Sequence, residues 1–464
     1  MEITFAGAAR EVTGSCHIVR VNGKTIMLDC GLFQGRRRDV EGKNRRLPMP
    51  PGQIDAVVLS HAHIDHAGRL PFLVREGYAG HIHSTVATRD LCEVMLADSA
   101  HIQEKDAEFL RRHNKSVADP LYALTDVSDT LTQMTPHRYG DRFEVVPGVT
   151  VRFVDAGHIL GSASVVLEWM EGSTTRRLGF SGDIGRSNLP IIRDPAPPPG
   201  LDWVIMESTY GDRDHESVEG ARDELARIVR ETAARGGRIL IPAFAVGRTQ
   251  ELLYELRGLV QEGKIPRLPM FVDSPLANEA TAVFHDNTQD FDQTEERVRR
   301  SAGERHGMFE FDLLRFTPSI DESKAITRSS GPAIVIAASG MCESGRILHH
   351  LMSGASESRN TILIVGFQAE HTLGRRIVER SPMIKVFGDE IPLRAQVEVL
   401  NGYSAHADRT ELRAWLDAVR DGSPELKDVF LVHGEASAQD AFAASLTAGG
   451  YKAHCPRPGE HVTR

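Results

Sequence analysis

The chain has 464 residues, with 54 Lys+Arg against 64 Asp+Glu, a formal charge of −10, and 41% hydrophobic residues. That is the composition of an ordinary globular protein of roughly two or three domains. It excludes a fold held to nucleic acid by bulk positive charge, any run near the ~18 apolar residues of a membrane span, and, with five scattered cysteines and no C-x-x-C pair, a disulfide framework or thiolate metal site. The N-terminal residues Met1 to Phe5 lack a basic region followed by an apolar core, so no signal peptide is expected. A cytoplasmic protein with no membrane partner is the expectation.

The first half reads as short strands at Ile3–Phe5, Cys16–Val21, Thr25–Leu28 and Ala56–Leu59, then a helix from about Ala87 to past Ile102. More strands are predicted at Val149–Val154, Ser164–Glu168, Arg177–Phe180 and Trp203–Met206. From about Glu219 strands and helices alternate. Helices are predicted at Ala221–Ala234, Thr249–Val260 and Ile347–Met352, and strands at Arg238–Ile241, Met270–Val272, Ala333–Ala337 and Thr361–Val365. That alternation predicts a parallel sheet. After about Arg394 the pattern of the first half returns, with strands at Val397–Leu400 and Val429–Val432 and helices at Arg409–Val419 and Ala438–Leu446. The simplest parse is an α/β host domain over 1–208 and 394–464, interrupted by a second domain over 209–393.

The histidines cluster. Ser60-His61-Ala62-His63-Ile64-Asp65-His66 follows the apolar strand directly. His61 and His63, two apart in an extended segment, project to one side and can grip one metal, and a turn re-aims Asp65 and His66 toward a second. Imidazole with carboxylate suits zinc or a similar first-row ion. Further ligands are expected at other strand ends: His158 among small residues in Gly157–Ala163, Asp183 between glycines in Ser181–Gly185, and His433 in Val432–Glu435. Asp183 suits a carboxylate bridging two ions.

The set Asp29, His61-x-His63-x-Asp65-His66, His158 and Asp183 resembles the metallo-β-lactamase fold. Glu207-Ser208-Thr209-Tyr210-Gly211, Ser404-Ala405-His406-Ala407-Asp408 and Val432-His433-Gly434 are similar to the three motifs added in its β-CASP branch. The resemblance implies an αββα metallo-β-lactamase sandwich with an inserted parallel-sheet β-CASP domain, and a ribonuclease using two Zn²⁺ per chain. By that likeness His61, His63 and His158 bind the first zinc, Asp65, His66 and His433 the second, and Asp183 and a hydroxide bridge both. Asp29 orients a ligand histidine from behind. His433 in the last motif tilts the reading toward RNA rather than DNA. In-line attack would leave 5′-phosphate and 3′-hydroxyl ends, with His406, held by Glu207, as the proton donor to the leaving oxygen.

Arg36, Arg37 and Arg38 open a basic run that could follow a phosphate backbone. Ser339, Gly340 and Met341 resemble the family's small-residue loop that contacts nucleic acid, and Arg248 stands at a helix start suited to phosphate. The segment Gly366 to Arg376 resembles the family too, but carries His371 where the family has glycine. Alternatives of other classes are a small-molecule hydrolase of the same fold, which lacks the insertion and the Glu207/His406 pair, and a non-catalytic RNA-processing scaffold, which typically loses metal ligands. Within the nuclease reading, a 5′-3′ exoribonuclease is the alternative. Exonuclease action often accompanies a trailing domain, and the chain ends at Arg464, soon after His433, so internal cutting is favoured. A homodimer is compatible with the sequence.

Overall fold

The computed structural model describes residues 1–35, 37–112, 119–215, 218–292, 308–366, 368–369 and 371–464. The chain divides into two compact units: 1–187, 193–214 and 406–464 form the first, and 188–192 with 215–405 form the second. The strands in chain order begin with β1 (Glu2–Gly7), β2 (Cys16–Val21), β3 (Lys24–Leu28), β4 (Ala56–Val58), β5 (His81–Thr85) and β6 (Met134–His137). There follow β7 (Arg142–Val146), β8 (Val149–Asp155), β9 (Ala163–Glu171), β10 (Thr174–Phe180) and β11 (Trp203–Glu207). The second unit holds β12 (Ile239–Pro242), β13 (Met270–Val272), β14 (Leu314–Phe316), β15 (Ile334–Ala337), β16 (Thr361–Ile364), β17 (Met383–Val386), β18 (Asp389–Pro392) and β19 (Gln396–Val399). The first unit resumes with β20 (Asp428–Val432), β21 (Ala453–His454) and β22 (Glu460–Thr463).

In the first unit two seven-stranded sheets, ordered β22-β1-β2-β3-β4-β5-β6 and β21-β20-β11-β10-β9-β8-β7, share one core. Alternation along the central strands explains why. Trp203, Ile205, Phe430 and Val432 face the core between the sheets with Phe5, Val19, Ile26, Phe153 and Phe180. Their neighbours Val204, Met206, Val429 and Leu431 face outward onto Leu412, Trp415, Leu416, Phe442 and Leu446 of the helices Arg409–Asp421 and Ala436–Ala448. Helix Leu124–Gln133 contacts both Leu70–Arg75 and Val86–Arg112, and the last of these also contacts β5 and β6. The αββα sandwich is thus dictated by strands apolar on both faces.

The second unit is built on a six-stranded sheet, β14-β13-β15-β12-β16-β19, whose described pairings are all parallel. Its apolar core runs through Leu240, Val335, Ile362 and Ile364 to Ile347, Leu351 and Ile377. The second unit extends past residue 393 because β19 pairs with β16 in register Thr361↔Gln396 to Ile364↔Val399. No helix among the described residues is long and apolar enough to cross a membrane.

Candidate metal centre

The centre lies in the first unit, where strand ends meet. After β4 the chain passes Ser60 and His61 and turns into the short helix Ile64–Ala67. The residue before β2 and the loop following β3 clasp that turn: Ser15 N donates to Asp65 O (2.8 Å), Cys30 N to His66 O (2.8 Å) and Leu32 N to Ile64 O (2.9 Å). The approach requires glycine at position 31, where a Cβ would stand 1.6 Å from Asp65 O. Gly185 does the same between the loops of Asp183 and His158, because a Cβ there would meet Gly157 O at 1.7 Å.

Three imidazole nitrogens converge first. His61 Nε2 lies 3.1 Å from His63 Nδ1, which lies 3.1 Å from His158 Nε2. Asp183 Oδ2 stands 3.5 Å from His61 Nε2 and 3.4 Å from His158 Nε2. On the other side His66 Nε2 faces His433 Nε2 at 3.1 Å, Asp65 Oδ2 is 3.4 Å from His433 Nε2, and Asp183 Oδ1 is 3.3 Å from His66 Nε2. Asp183 therefore turns one oxygen to each set. In each set the ligating atoms lie within 4.8 Å of one another.

This arrangement fits metal. Neutral imidazole lone pairs facing at such distances repel unless a cation lies among them. Burial holds His63 down to about 4 and His61 well below its ordinary value, so both rings stay neutral. Asp183 is buried, yet His433 and His66 hold its carboxyl well below the usual range, and its Oδ1 has no hydrogen-bond partner among the described residues. A donor set of imidazole and carboxylate suits zinc or a similar first-row ion.

Asp29 sits behind His66. It is fully buried and accepts from Ser60 N (2.8 Å), Ser60 Oγ (2.9 Å) and Ser15 Oγ (3.0 Å), with His66 Nδ1 at 2.7 Å. Its φ of +59° is a left-handed conformation costing about 1–3 kcal/mol. The four contacts hold it there and leave His66 Nε2 facing inward. His433 is likewise left-handed, at φ +49°, with Thr209 Oγ1 3.1 Å from its Nδ1.

His406 stands beside the first set, its ring centroid 4.5 Å from that of His158 and its Nδ1 3.9 Å from Asp183 Oδ2. Nδ1 is 3.1 and 3.2 Å from the oxygens of Glu207, which is fully buried and also accepts from Ile184 N. Burial opposes the imidazolium, but Glu207 and Asp183 outweigh it and raise His406 to about 9. The helix that follows is capped by Asp408, which accepts from Glu411 N (2.8 Å), so His406 is not spent as a cap.

Several supporting residues have no counterpart in the sequence reading. Arg69, buried, donates to Gly31 O (2.6 Å) and Arg46 O (3.2 Å), fixing the clasping loop. Arg186 donates to Glu411 (3.1 Å), and Ala407 N donates to Ile184 O (2.8 Å), tying the Asp183 loop to the His406 segment. These contacts use backbone carbonyls or residues distant in sequence, which leave no local pattern. Ser60 and Thr209 could have been found, since each abuts a motif residue.

The basic run is an exposed helix, Arg37–Asn44, with Arg36 outside the described residues. Its charges are met locally: Arg37 by Glu41 (3.3 Å), Arg38 by Asp39 (3.4 Å) and Lys43 by Glu11 (2.7 Å).

In the second unit, loops gather at the carboxyl ends of adjacent parallel strands, where such sheets bind ligands. Ser339 Oγ accepts from Glu343 N (3.1 Å) and Ser344 N (3.3 Å), which leaves its own hydrogen to donate. A Cβ on Gly340 would meet the Phe244 ring at 2.8 Å. Met341 O accepts from Gly374 N, and Gln368 Nε2 donates to Gly340 O (2.9 Å), joining this loop to the one after β16. Arg346 closes the loop by donating to buried Asp273 (2.7 Å). Arg248 is 4% exposed with its guanidinium on Glu251, so it does not offer itself to a phosphate in this arrangement. His371 is exposed with φ +71°, the conformation that explains the family's glycine there.

Paired histidine–carboxylate sets at the strand ends of an αββα sandwich define a metallo-hydrolase. Residues 9–235 match the metallo-β-lactamase superfamily, 249–377 the β-CASP domain and 390–456 a Zn-dependent metallo-hydrolase RNA specificity domain. The chain is 38% identical over 463 residues to Ribonuclease TTHA0252 of Thermus thermophilus, covering 100% of each. It is 30% identical to Transcription termination factor FttA of Methanosarcina mazei, over 96% of this chain and 69% of that one. With the Methanocaldococcus jannaschii FttA it shares 32% identity, covering 94% and 67%. A crystal structure of a protein of unknown function from Enterococcus faecalis V583 superposes with TM-score 0.55, covering 99% of each chain at 12% identity, a likeness of fold. The chain belongs to the β-CASP family of metallo-β-lactamase-fold hydrolases.

Proposed function

We propose that this protein is a zinc-dependent ribonuclease that cuts RNA internally and leaves 5′-phosphate and 3′-hydroxyl ends. The observation that carries the reading is His406, partly buried beside the ligand sets and held on Glu207 with its acid form favoured. His61, His63 and His158 would hold one ion, Asp65, His66 and His433 the other, and Asp183 both. When bound, the ions supply a hydroxide nucleophile near neutral pH and offset charge on the scissile phosphate. Glu207 fixes the Nδ1 side of His406, leaving Nε2 to give its proton to the departing 3′ oxygen. Asp29 keeps His66 in the orientation a ligand needs.

RNA as the substrate is supported by the full-length relative named as a ribonuclease and by the RNA specificity domain match. The β-CASP match over 249–377 argues against a small-molecule hydrolase, and the intact ligand set argues against a scaffold. In this reading Ser339, Gly340 and Met341 meet the RNA backbone through main-chain N–H groups and the Ser339 hydroxyl. Arg248 shapes its loop by pairing with Glu251. Arg37 and Arg38 add only a weak, salt-screened attraction. A reducing cytoplasm suits the five unpaired cysteines. The test is a product fingerprint from 5′-labelled RNA. Internal fragments with 5′-phosphate ends on the downstream pieces are expected, and mononucleotides released from the 5′ end would overturn the endonuclease assignment.

A further inference from the structure

A second histidine cluster lies in the first unit, where the edge strand β6 meets β5. His83 Nδ1 and His137 Nε2 stand 3.0 Å apart, with ring centroids 5.2 Å apart. The same measures hold inside the metal centre, where ligand nitrogens face each other at 3.1 Å and the rings of His61, His63 and His158 are 4.9–5.0 Å apart. Both edge rings stack on Phe143 of β7, His137 at 3.4 Å and 5° and His83 at 5.2 Å and 29°. His81, two residues before His83, shares its face of the strand. Its exposed ring lies 5.9 Å from that of His83, with Nδ1 on Thr135 Oγ1 at 3.2 Å.

Packing alone does not account for imidazoles at this position. His83 is 6% exposed and its Nε2 has no hydrogen-bond partner among the described residues. Whichever ring carries the hydrogen between Nδ1 and Nε2, that orphan remains, a cost a phenylalanine would avoid. We propose that His83, His137 and His81 form a separate binding site for an imidazole-preferring divalent ion such as Zn²⁺, clipping the edge strand β6 to β5. Nδ1 of His83 and Nε2 of His137 supply two ligands. With the ion bound, the hydrogen that lay between the rings moves to the far nitrogen of its own ring, so the ring hydrogens sit on His83 Nε2 and His137 Nδ1 and ligation requires no net proton release. His81 swings in by exchanging its bond to Thr135, and water completes the shell. Burial holds His83 down to about 4 and lowers His137, which keeps both lone pairs available at neutral pH. The site stands apart from the proposed RNA cleavage and does not depend on it.

The test counts metal. Full-length protein is equilibrated with excess free Zn²⁺, and bound zinc per chain is measured beside the variant His83→Phe/His137→Phe, which keeps the stack on Phe143. Wild type is expected to hold one equivalent more than the variant, and added zinc is expected to raise the melting temperature of wild type by more. The single variant His81→Ala, at an exposed position, loses the same equivalent when free zinc is limiting. Equal zinc in all three proteins would overturn the proposal, as would an identical loss from His101→Ala, an exposed histidine outside the cluster.

Discussion

The metal centre and the loops of the six-stranded sheet position chemistry in opposite ways. At the centre, side chains do the work, and each is held from behind: Asp29 and its serines behind His66, Glu207 behind His406, Thr209 beside His433. In the second unit the proposed RNA contact would be made by the backbone, through a loop after β15 locked by Ser339, Gln368 and the Arg346–Asp273 pair. Local spacing therefore announces a side-chain site, whereas a backbone site depends on clamps distant in sequence.

The contrast can be broken most sharply at the shared carboxylate. Asp183→Ala should lose bound metal and lower turnover by at least about 10³-fold, since both ligand sets and His406 rely on it. Metal analysis finding two ions retained would remove the bridging role. His406→Ala should keep its metal and lower turnover by about 10²-fold or more, and unchanged cleavage would cancel the proton-donor assignment. Asp29→Asn should weaken metal affinity by about 10–100-fold, measured by competition with a chelator. On the other side, Asp273→Asn should raise the KM for RNA by about tenfold, the equivalent of ~1.4 kcal/mol. Hydrolysis of bis(p-nitrophenyl) phosphate, which needs the centre alone, should stay level. A matching loss on both substrates would mean that Asp273 serves the fold and not the loop. The smallest effect is expected for Arg38→Ala, less than about twofold in RNA affinity, because its partner Asp39 already screens an exposed charge.

The same contrast governs what the sequence could reveal. The run His61–His66 was legible because four potential ligands fall within six residues directly after an apolar strand. Central strands such as Trp203–Glu207 were legible because both their faces are buried. The strand β5 and the edge strands β6 and β7 were not, since polar residues such as His81, His83 and Arg142 break the apolar signal. The hairpin of β17 and β18 also escapes the pattern, although Phe387-Gly388 forms its turn with both residues at positive φ. The strand Val397–Leu400 was expected in the host because the strand and helix pattern after Arg394 resembles the first half. Only its pairing with β16 shows where it belongs. In the basic run the partners of Arg37 and Arg38, Glu41 and Asp39, lie in the same stretch of sequence, whereas the partner of Lys43, Glu11, leaves no local pattern.

The central claim is that the buried histidine–carboxylate centre hydrolyses RNA with bound metal. It is tested most directly by incubating end-labelled RNA with three preparations: the protein carrying its metal, the protein stripped by chelation, and the stripped protein given back Zn²⁺. The account predicts cleavage, none, and cleavage restored. Equal cleavage by the stripped protein, or intact RNA with two metals bound, would contradict it.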